Sequence, residues 1–251
     1  MSPIEGLEID DQGGVRVLAI ARPEKRNCIT VPVAEGILDA LDEAEAREDL
    51  RVVVLTGRGG IFSAGIDLAV LMEVSKTSRM PESLSRFGQR LRAFPKPLLA
   101  AVDGLAVGMA VTILPAFDMV YASERAELTT PFSKLGLCAE YGSSVTFPRL
   151  MGRQRASEML LGGARYDAAT LERWGLVTRV FPTASFMDEV LAIARELASL
   201  PPGAVQASKR LLREGEDRTL DEALAAEADE LAERFRSDEM KAAVGAFLKK
   251  R

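Results

Sequence analysis

The sequence predicts an α/β protein whose alternating strands and helices give way to a purely helical C-terminal region. Short apolar, β-branched runs, VVVL at 52–55 above all, recur between stretches with helical spacing. Glycines punctuate the junctions after those runs, where the chain must turn sharply. From residue 185 onward the strand-like runs cease and amphipathic helical patterns continue to the end.

The elements follow in order. Residues 7–10 and 15–20 flank Asp11-Gln12-Gly13-Gly14 and read as a hairpin that opens the sheet. Residues 22–28, RPEKRNC, form a basic loop. Thr30 then caps a helix whose apolar positions Val33, Ile37, Leu38 and Leu41 face the sheet. The run 52–55 is a strand buried on both faces, and the stretch 70–86 reads as a polar, mobile loop. Further strands are expected at 98–102, 119–122 and 177–181, alternating with helices at 82–94, 109–115 and 153–161. Helices at 185–200, 204–213, 220–235 and 238–248 complete the chain, parted by Pro201-Pro202-Gly203.

Composition removes several classes of chemistry. The 251 residues include no histidine, which excludes Ser-His-Asp and Cys-His nucleophilic machinery and most catalytic zinc sites. Proton transfer is left to carboxylate, Lys, Tyr or Cys. Cys28 and Cys138 have no metal-type spacing and read as free thiols in a reducing compartment. The amino terminus, MSPIEGLEID, lacks a secretory pattern, so a cytoplasmic location is expected. The apolar stretch 97–120 is broken by Asp103, Gly104, Gly108 and Pro115, which argues against a membrane span. A net charge of −5 and the absence of any RNA or DNA motif argue against a nucleic-acid partner.

Two glycine turns carry the functional signal. In VVVLTGRGGIFSAGIDL at 52–68 a strand runs into a turn that ends at Ile66, before Asp67. In LLAAVDGLAVGMAVT at 98–112 a strand is followed by the Gly104 turn, and Gly108 opens a helix. Both designs leave backbone N–H groups without a helical partner, and two such turns can clamp one oxygen.

Together with RPEKRN at 22–27, PFSKLGL at 131–137 and WGLVTRVFP at 174–182, these segments resemble the crotonase, or enoyl-CoA hydratase/isomerase, superfamily across nearly the whole chain. The resemblance implies a spiral of ββα units over residues 1–195 and a helical capping and trimerisation region over 196–251. It implies an acyl-CoA thioester partner, assembly as a homotrimer or dimer of trimers, and no cofactor beyond the coenzyme A of the substrate. The oxyanion formed at the thioester carbonyl would be held by the backbone N–H groups of Ile66 and Met109.

The sequence also departs from the pattern. Hydratases of the family carry two glutamates that act on water, and at those positions this chain has Thr112 and Phe132. In LGLCAEYGSS at 135–144, Glu140 matches the single acid of the Δ3,Δ2-enoyl-CoA isomerases. Apolar neighbours Phe132, Leu135, Leu137 and Met109 would raise its pKa. Lys25 and Arg26 resemble phosphate and pantetheine contacts, and the backbone at Ala64, Asp67 and Leu68 resembles an adenine site. Phe247 and Lys250, in the terminal AFLKKR, resemble a pair that reaches the adenine of a neighbouring subunit, although a basic helix end also complements its own dipole. Asp67 and Asp118 read as structural, Cys138 as a small buried apolar group, and Tyr141 as either an acyl contact or packing. The implied activity is isomerisation of a 3-enoyl thioester; hydration and non-catalytic acyl-CoA binding are the alternatives.

Overall fold

The computed structural model describes residues 4–249, Lys249 by its backbone alone. Strands β1 (Leu7–Gln12) and β2 (Val15–Ile20) pair antiparallel through a two-residue turn, with φ of 58° at Gly13 and 83° at Gly14. The turn is therefore shorter than its polar composition suggests, because Asp11 and Gln12 stay in the strand, where Asp11 pairs with the buried Arg16 at 2.7 Å. Helix α1 (Val31–Ala46) begins at Thr30, whose side chain accepts from the Val33 N–H, and buries Val33, Ile37, Leu38 and Leu41.

The centre of the chain repeats one unit. Strand β3 (Val52–Gly57) leads into the short β4 (Ile61–Ser63) and helices α2 (Leu68–Thr77) and α3 (Glu82–Ala93). Strand β5 (Leu98–Val102) leads into β6 (Leu105–Val107) and helix α4 (Met109–Thr112). Strand β7 (Met119–Ser123) leads into β8 (Glu127–Thr129), α5 (Ser143–Met151) and α6 (Arg153–Gly162). Then come β9 (Arg165–Asp167), α7 (Ala168–Trp174), β10 (Arg179–Phe181) and four helices: α8 (Phe186–Ser199), α9 (Pro202–Gly215), α10 (Leu220–Arg236) and α11 (Asp238–Lys249).

Each unit donates its first strand to one sheet and its second strand to another. The six-stranded sheet has the order β1-β2-β3-β5-β7-β10, parallel from β2 onward, and the four-stranded sheet has the order β4-β6-β8-β9. In the smaller sheet β4 and β6 run parallel, with Ser63 opposite Ala106. Gly104, at φ 69°, makes the crossing between sheets possible, since a Cβ there would collide with the Gly60 carbonyl.

Both faces of the larger sheet are covered, which explains its all-apolar strands. Val53 and Leu55 of β3 join the core beneath α1 and α3, whereas Val52 and Val54 pack with Phe186, Val190, Ala194 and Ala198 of α8. The stretch 70–86 is not a loop. Most of it is α2 and the start of α3; α2 buries none of its residues, with Leu68, Leu71 and Val74 facing a cavity and Val70 only partly buried against the core. Helix α9 is tied to the core by Lys209, whose ammonium meets Asp118 at 2.6 Å, and by Arg213, 3.3 Å from the same carboxylate. Asp118 is thus structural, accepting also from the Leu98 N–H at 2.7 Å. Helix α10 has no buried residue and exposes Leu220, Leu224, Leu231 and Phe235. Among the described residues, no helix is long and apolar enough to cross a membrane.

Candidate active site

A cavity of about 720 Å³ lies where the turns after β4 and β6 meet α2 and the segment before α5. The first turn is built by local hydrogen bonds. Buried Ser63 donates to the Asn27 carbonyl at 2.8 Å and accepts the Gly65 N–H at 3.0 Å. Ile29 then makes a one-residue parallel bridge, its N–H donating to the Gly65 carbonyl at 2.7 Å and its carbonyl accepting the Asp67 N–H at 3.0 Å. In extended chain, groups of successive residues point to opposite sides, so the Ile66 N–H faces away from that bridge. Among the described residues it has no acceptor.

The second turn supplies a comparable group. The Gly108 N–H donates to the Thr129 carbonyl at 2.9 Å, and the Gly108 carbonyl accepts from Val111 and Thr112. This leaves the Met109 N–H, first in α4, without an acceptor among the described residues. The two turns touch: a Cβ built on Gly65, at φ 81°, would lie 2.5 Å from the Val107 carbonyl oxygen and 3.4 Å from the Met109 nitrogen. Two unengaged donors on adjoining backbone suit an oxygen that acquires negative charge.

Glu140 lines the same cavity, as do Phe132, Leu135, Leu137 and Met109. Its segment is held on both sides. The Glu140 carbonyl accepts from the Ser143 N–H at 3.0 Å and hydroxyl at 2.8 Å, while Tyr141, at φ 48°, donates to the Leu84 carbonyl at 2.6 Å. Tyr141 therefore packs against α3 and is not among the residues lining the cavity. Burial pushes the Glu140 carboxyl up from 4.5 to about 7, opposed by a hydrogen bond from the Thr112 hydroxyl to Oε1 at 3.2 Å. That bond was not legible in the sequence, where the partners stand 28 residues apart.

Asp67 is the other carboxylate at the cavity. It caps α2 by accepting from the Ala69 N–H at 2.9 Å and receives the Cys28 thiol at 3.0 Å; these bonds, the thiol's first, hold it below the usual carboxylate range. Burial, with Asp67 adding to it, pushes the Cys28 thiol up to about 11. Neither group is poised to take a proton near neutrality, in contrast to Glu140. Cys138 also lines the cavity, and it is exposed, not buried: it lies in the 136–141 stretch outside any helix or strand.

Lys25, Arg26, Ala64 and Leu68 complete the candidate residues that line the cavity. The loop carrying the two cations is fixed by Asn27, a wholly buried amide that accepts from the Arg22 N–H at 2.8 Å and donates to the carbonyls of Arg58 and Ile61 at 2.8 and 2.6 Å. Arg26 and Asn27 both hold positive φ, at 51° and 52°, a conformation asparagine tolerates better than most side chains. Leu71, Val74 and Met80 extend the apolar wall and were missed with α2, although Leu68, Leu71 and Val74 recur every three residues. Phe247 lies exposed on α11 and does not line the cavity of its own chain; Lys250 lies outside the described residues.

A second cavity, of about 520 Å³, separates α3 from α9 and is lined by Lys209 and Arg213, whose charges Asp118 already shares. Among the described residues, no group of three or more His, Cys, Asp or Glu side chains is placed to hold a metal ion.

The family described as Enoyl-CoA hydratase/isomerase matches residues 10–251. Enoyl-CoA delta isomerase 2 of Rattus norvegicus is 39% identical over 97% of this chain, which spans only 63% of that relative's length. The 2,3-dehydroadipyl-CoA hydratase of Escherichia coli is 31% identical, with 98% of this chain and 96% of that one aligned. The crystal structure of an enoyl-CoA hydratase from Polaromonas sp. JS666 superposes with a TM-score of 0.92 at 31% identity, covering 98% of this chain and 97% of the other. With its ββα spiral, its paired glycine turns and a family match over nearly its full length, the chain belongs to the enoyl-CoA hydratase/isomerase family, the crotonase superfamily.

Proposed function

We propose that this chain is an acyl-CoA isomerase that moves a double bond from the 3- to the 2-position of an enoyl-CoA thioester. The observation that carries the reading is Glu140, a carboxyl brought near neutrality by burial at a cavity, with Phe132 in the cavity wall and Thr112 hydrogen-bonded to the acid at the two positions where a hydratase would carry its own acids. The Glu140 carboxylate takes a proton from C2, and the electron pair of the broken C–H bond flows onto the thioester oxygen to give a dienolate. The N–H groups of Ile66 and Met109 stabilise that oxygen, each such donor being worth ~10²–10³-fold in rate. Protonated Glu140 then returns the proton at C4, leaving the double bond between C2 and C3. Phe132 and Leu137 keep the site apolar, which sustains the basicity of the carboxylate.

Coenzyme A would engage Lys25 and Arg26 through its phosphates and the backbone at Ala64, Asp67 and Leu68 through its adenine. The exposed apolar residues of α10 and the exposed Phe247 fit assembly as a trimer or dimer of trimers, with residues 196–251 as the capping region. Two unpaired thiols fit a reducing compartment, for which we assign the cytoplasm.

Hydration is the second reading, favoured by the hydratase names of the Escherichia coli relative and the Polaromonas structure. A panel of 3-enoyl and 2-enoyl thioesters followed by thioester absorbance separates the readings. Conversion of 3-enoyl substrates without water addition to crotonyl-CoA supports isomerisation. Hydration of crotonyl-CoA replaces it with the hydratase reading, and tight binding of acyl-CoA without any turnover replaces both with a binding protein.

A further inference from the structure

We infer that Thr112 is a positioning residue that keeps the Glu140 carboxyl in one orientation through both of its protonation states. The inference rests on the isomerase reading, which requires one acid to accept a proton and then deliver it two carbons away.

A threonine hydroxyl carries one hydrogen and two lone pairs. Thr112 is 1% exposed, so water does not compete for them. Three acceptors surround the hydroxyl: Glu140 Oε1 at 3.2 Å, the Met109 carbonyl at 3.3 Å and the Gly108 carbonyl at 3.4 Å. When Glu140 is ionised, the hydroxyl donates to Oε1. Once Glu140 has taken the substrate proton on its other oxygen, Oε1 is the carbonyl oxygen of the acid and still accepts from the same hydroxyl, which leaves the new O–H aimed at the substrate. Both states are satisfied by one hydroxyl hydrogen, with no movement of the carboxyl.

The residue type matters for this reason. A carboxylate at position 112 would repel ionised Glu140 and accept only from the protonated form, while an alkyl side chain would satisfy neither. The other titratable groups of the neighbourhood are Lys25, Arg26, Cys28, Asp67 and Cys138 around the cavity and the adjacent Tyr141. Asp67 is engaged by Cys28 and the α2 backbone, and the Tyr141 hydroxyl by Leu84. Thr112 is the side chain that hydrogen-bonds Glu140 among the described residues. The Gly108 and Met109 carbonyls beside the hydroxyl belong to the turn that presents the Met109 N–H, so the orientation of the acid and the placement of that donor share one short stretch of backbone.

The experiment compares Thr112→Val, Thr112→Ala and Thr112→Ser in the full-length protein, reading kcat and KM on a 3-enoyl thioester and the Glu140 ionisation midpoint by ¹³C NMR. Loss of the hydroxyl is expected to lower kcat by about tenfold or more with KM within about twofold. The midpoint should rise by about one pH unit, because the lost bond favoured the charged form. Thr112→Ser should match the parent in both readouts. Thr112→Ala removes the hydroxyl without adding bulk and carries the comparison if Thr112→Val does not fold. A folded Val or Ala variant with the parent's kcat and midpoint overturns the inference, as does a Ser variant that behaves like them. An active Glu140→Gln variant overturns the isomerase reading instead, and the NMR midpoint still reports the Thr112 contact.

Discussion

Replacing Glu140 with Gln should stabilise the protein at high pH while abolishing turnover. Burial raises the folded-state pKa of this carboxyl from its ordinary 4.5 to about 7, so the folded protein binds the proton more tightly than the unfolded chain does. The resulting penalty is absent below pH 4.5, grows as pH rises, and is complete above about 7. At 1.36 kcal/mol per pH unit the gap corresponds to about 3 kcal/mol at pH 8 and to less than about 0.5 kcal/mol at pH 4. The amide keeps an oxygen for the Thr112 hydroxyl, so the main change is removal of the buried charge. For a chain of this size each kcal/mol moves Tm by about 2–4 °C, which gives a rise of several degrees at pH 8. Denaturant titrations of parent and variant at the two pH values measure it. Equal stability at pH 8, or a difference that does not change with pH, would refute the desolvated-carboxyl argument.

Further outcomes follow from other contacts. Gly65→Ala places a methyl group against the Val107 carbonyl at a left-handed position, so kcat on a 3-enoyl thioester should fall ~10²–10³-fold while the protein still folds; circular dichroism and steady-state kinetics decide this, and a kcat within threefold of the parent would count against the paired donors. Lys96 closes the end of α1 by donating to the carbonyls of Ala44, Arg47 and Leu50 at 2.7, 2.7 and 2.9 Å; Lys96→Ala should cost about 2–4 kcal/mol in urea unfolding. Exposed Cys138 should react with iodoacetamide at pH 8 much faster than Cys28, whose thiol lies near 11, and bound acyl-CoA should slow the reaction; peptide mass spectrometry reads both.

The larger sheet was legible because β3, β5 and β7 are buried on both faces and so read as unbroken apolar runs. The smaller sheet was not. Its strands have three residues each, too few for alternation to register, and Arg165–Asp167 and Glu127–Thr129 carry charged side chains. Helix α2 reads as a loop in the sequence because its apolar stripe serves a cavity wall and its end is set by Ser78 at φ 55° instead of by a glycine. At the site, the two glycine turns and the N–H groups they leave without an acceptor followed from glycine punctuation. Asn27 and Thr112 did not, since their meaning depends on carbonyls and a carboxyl that only the fold brings near.

The register of the smaller sheet has a consequence for tolerance to change. Ser63 stands opposite Ala106, and Ile66 and Met109 each follow their partner by three residues, so the two donors inherit a matched offset from neighbouring parallel strands. Strands in a sheet lie about 4.8 Å apart whatever side chains they carry. Which backbone N–H groups reach the site is thus set by residue count from a paired register, while the Met109 side chain is itself buried in the core. Inserting or deleting one residue between Ser63 and Ile66, or between Ala106 and Met109, would throw the pair out of step.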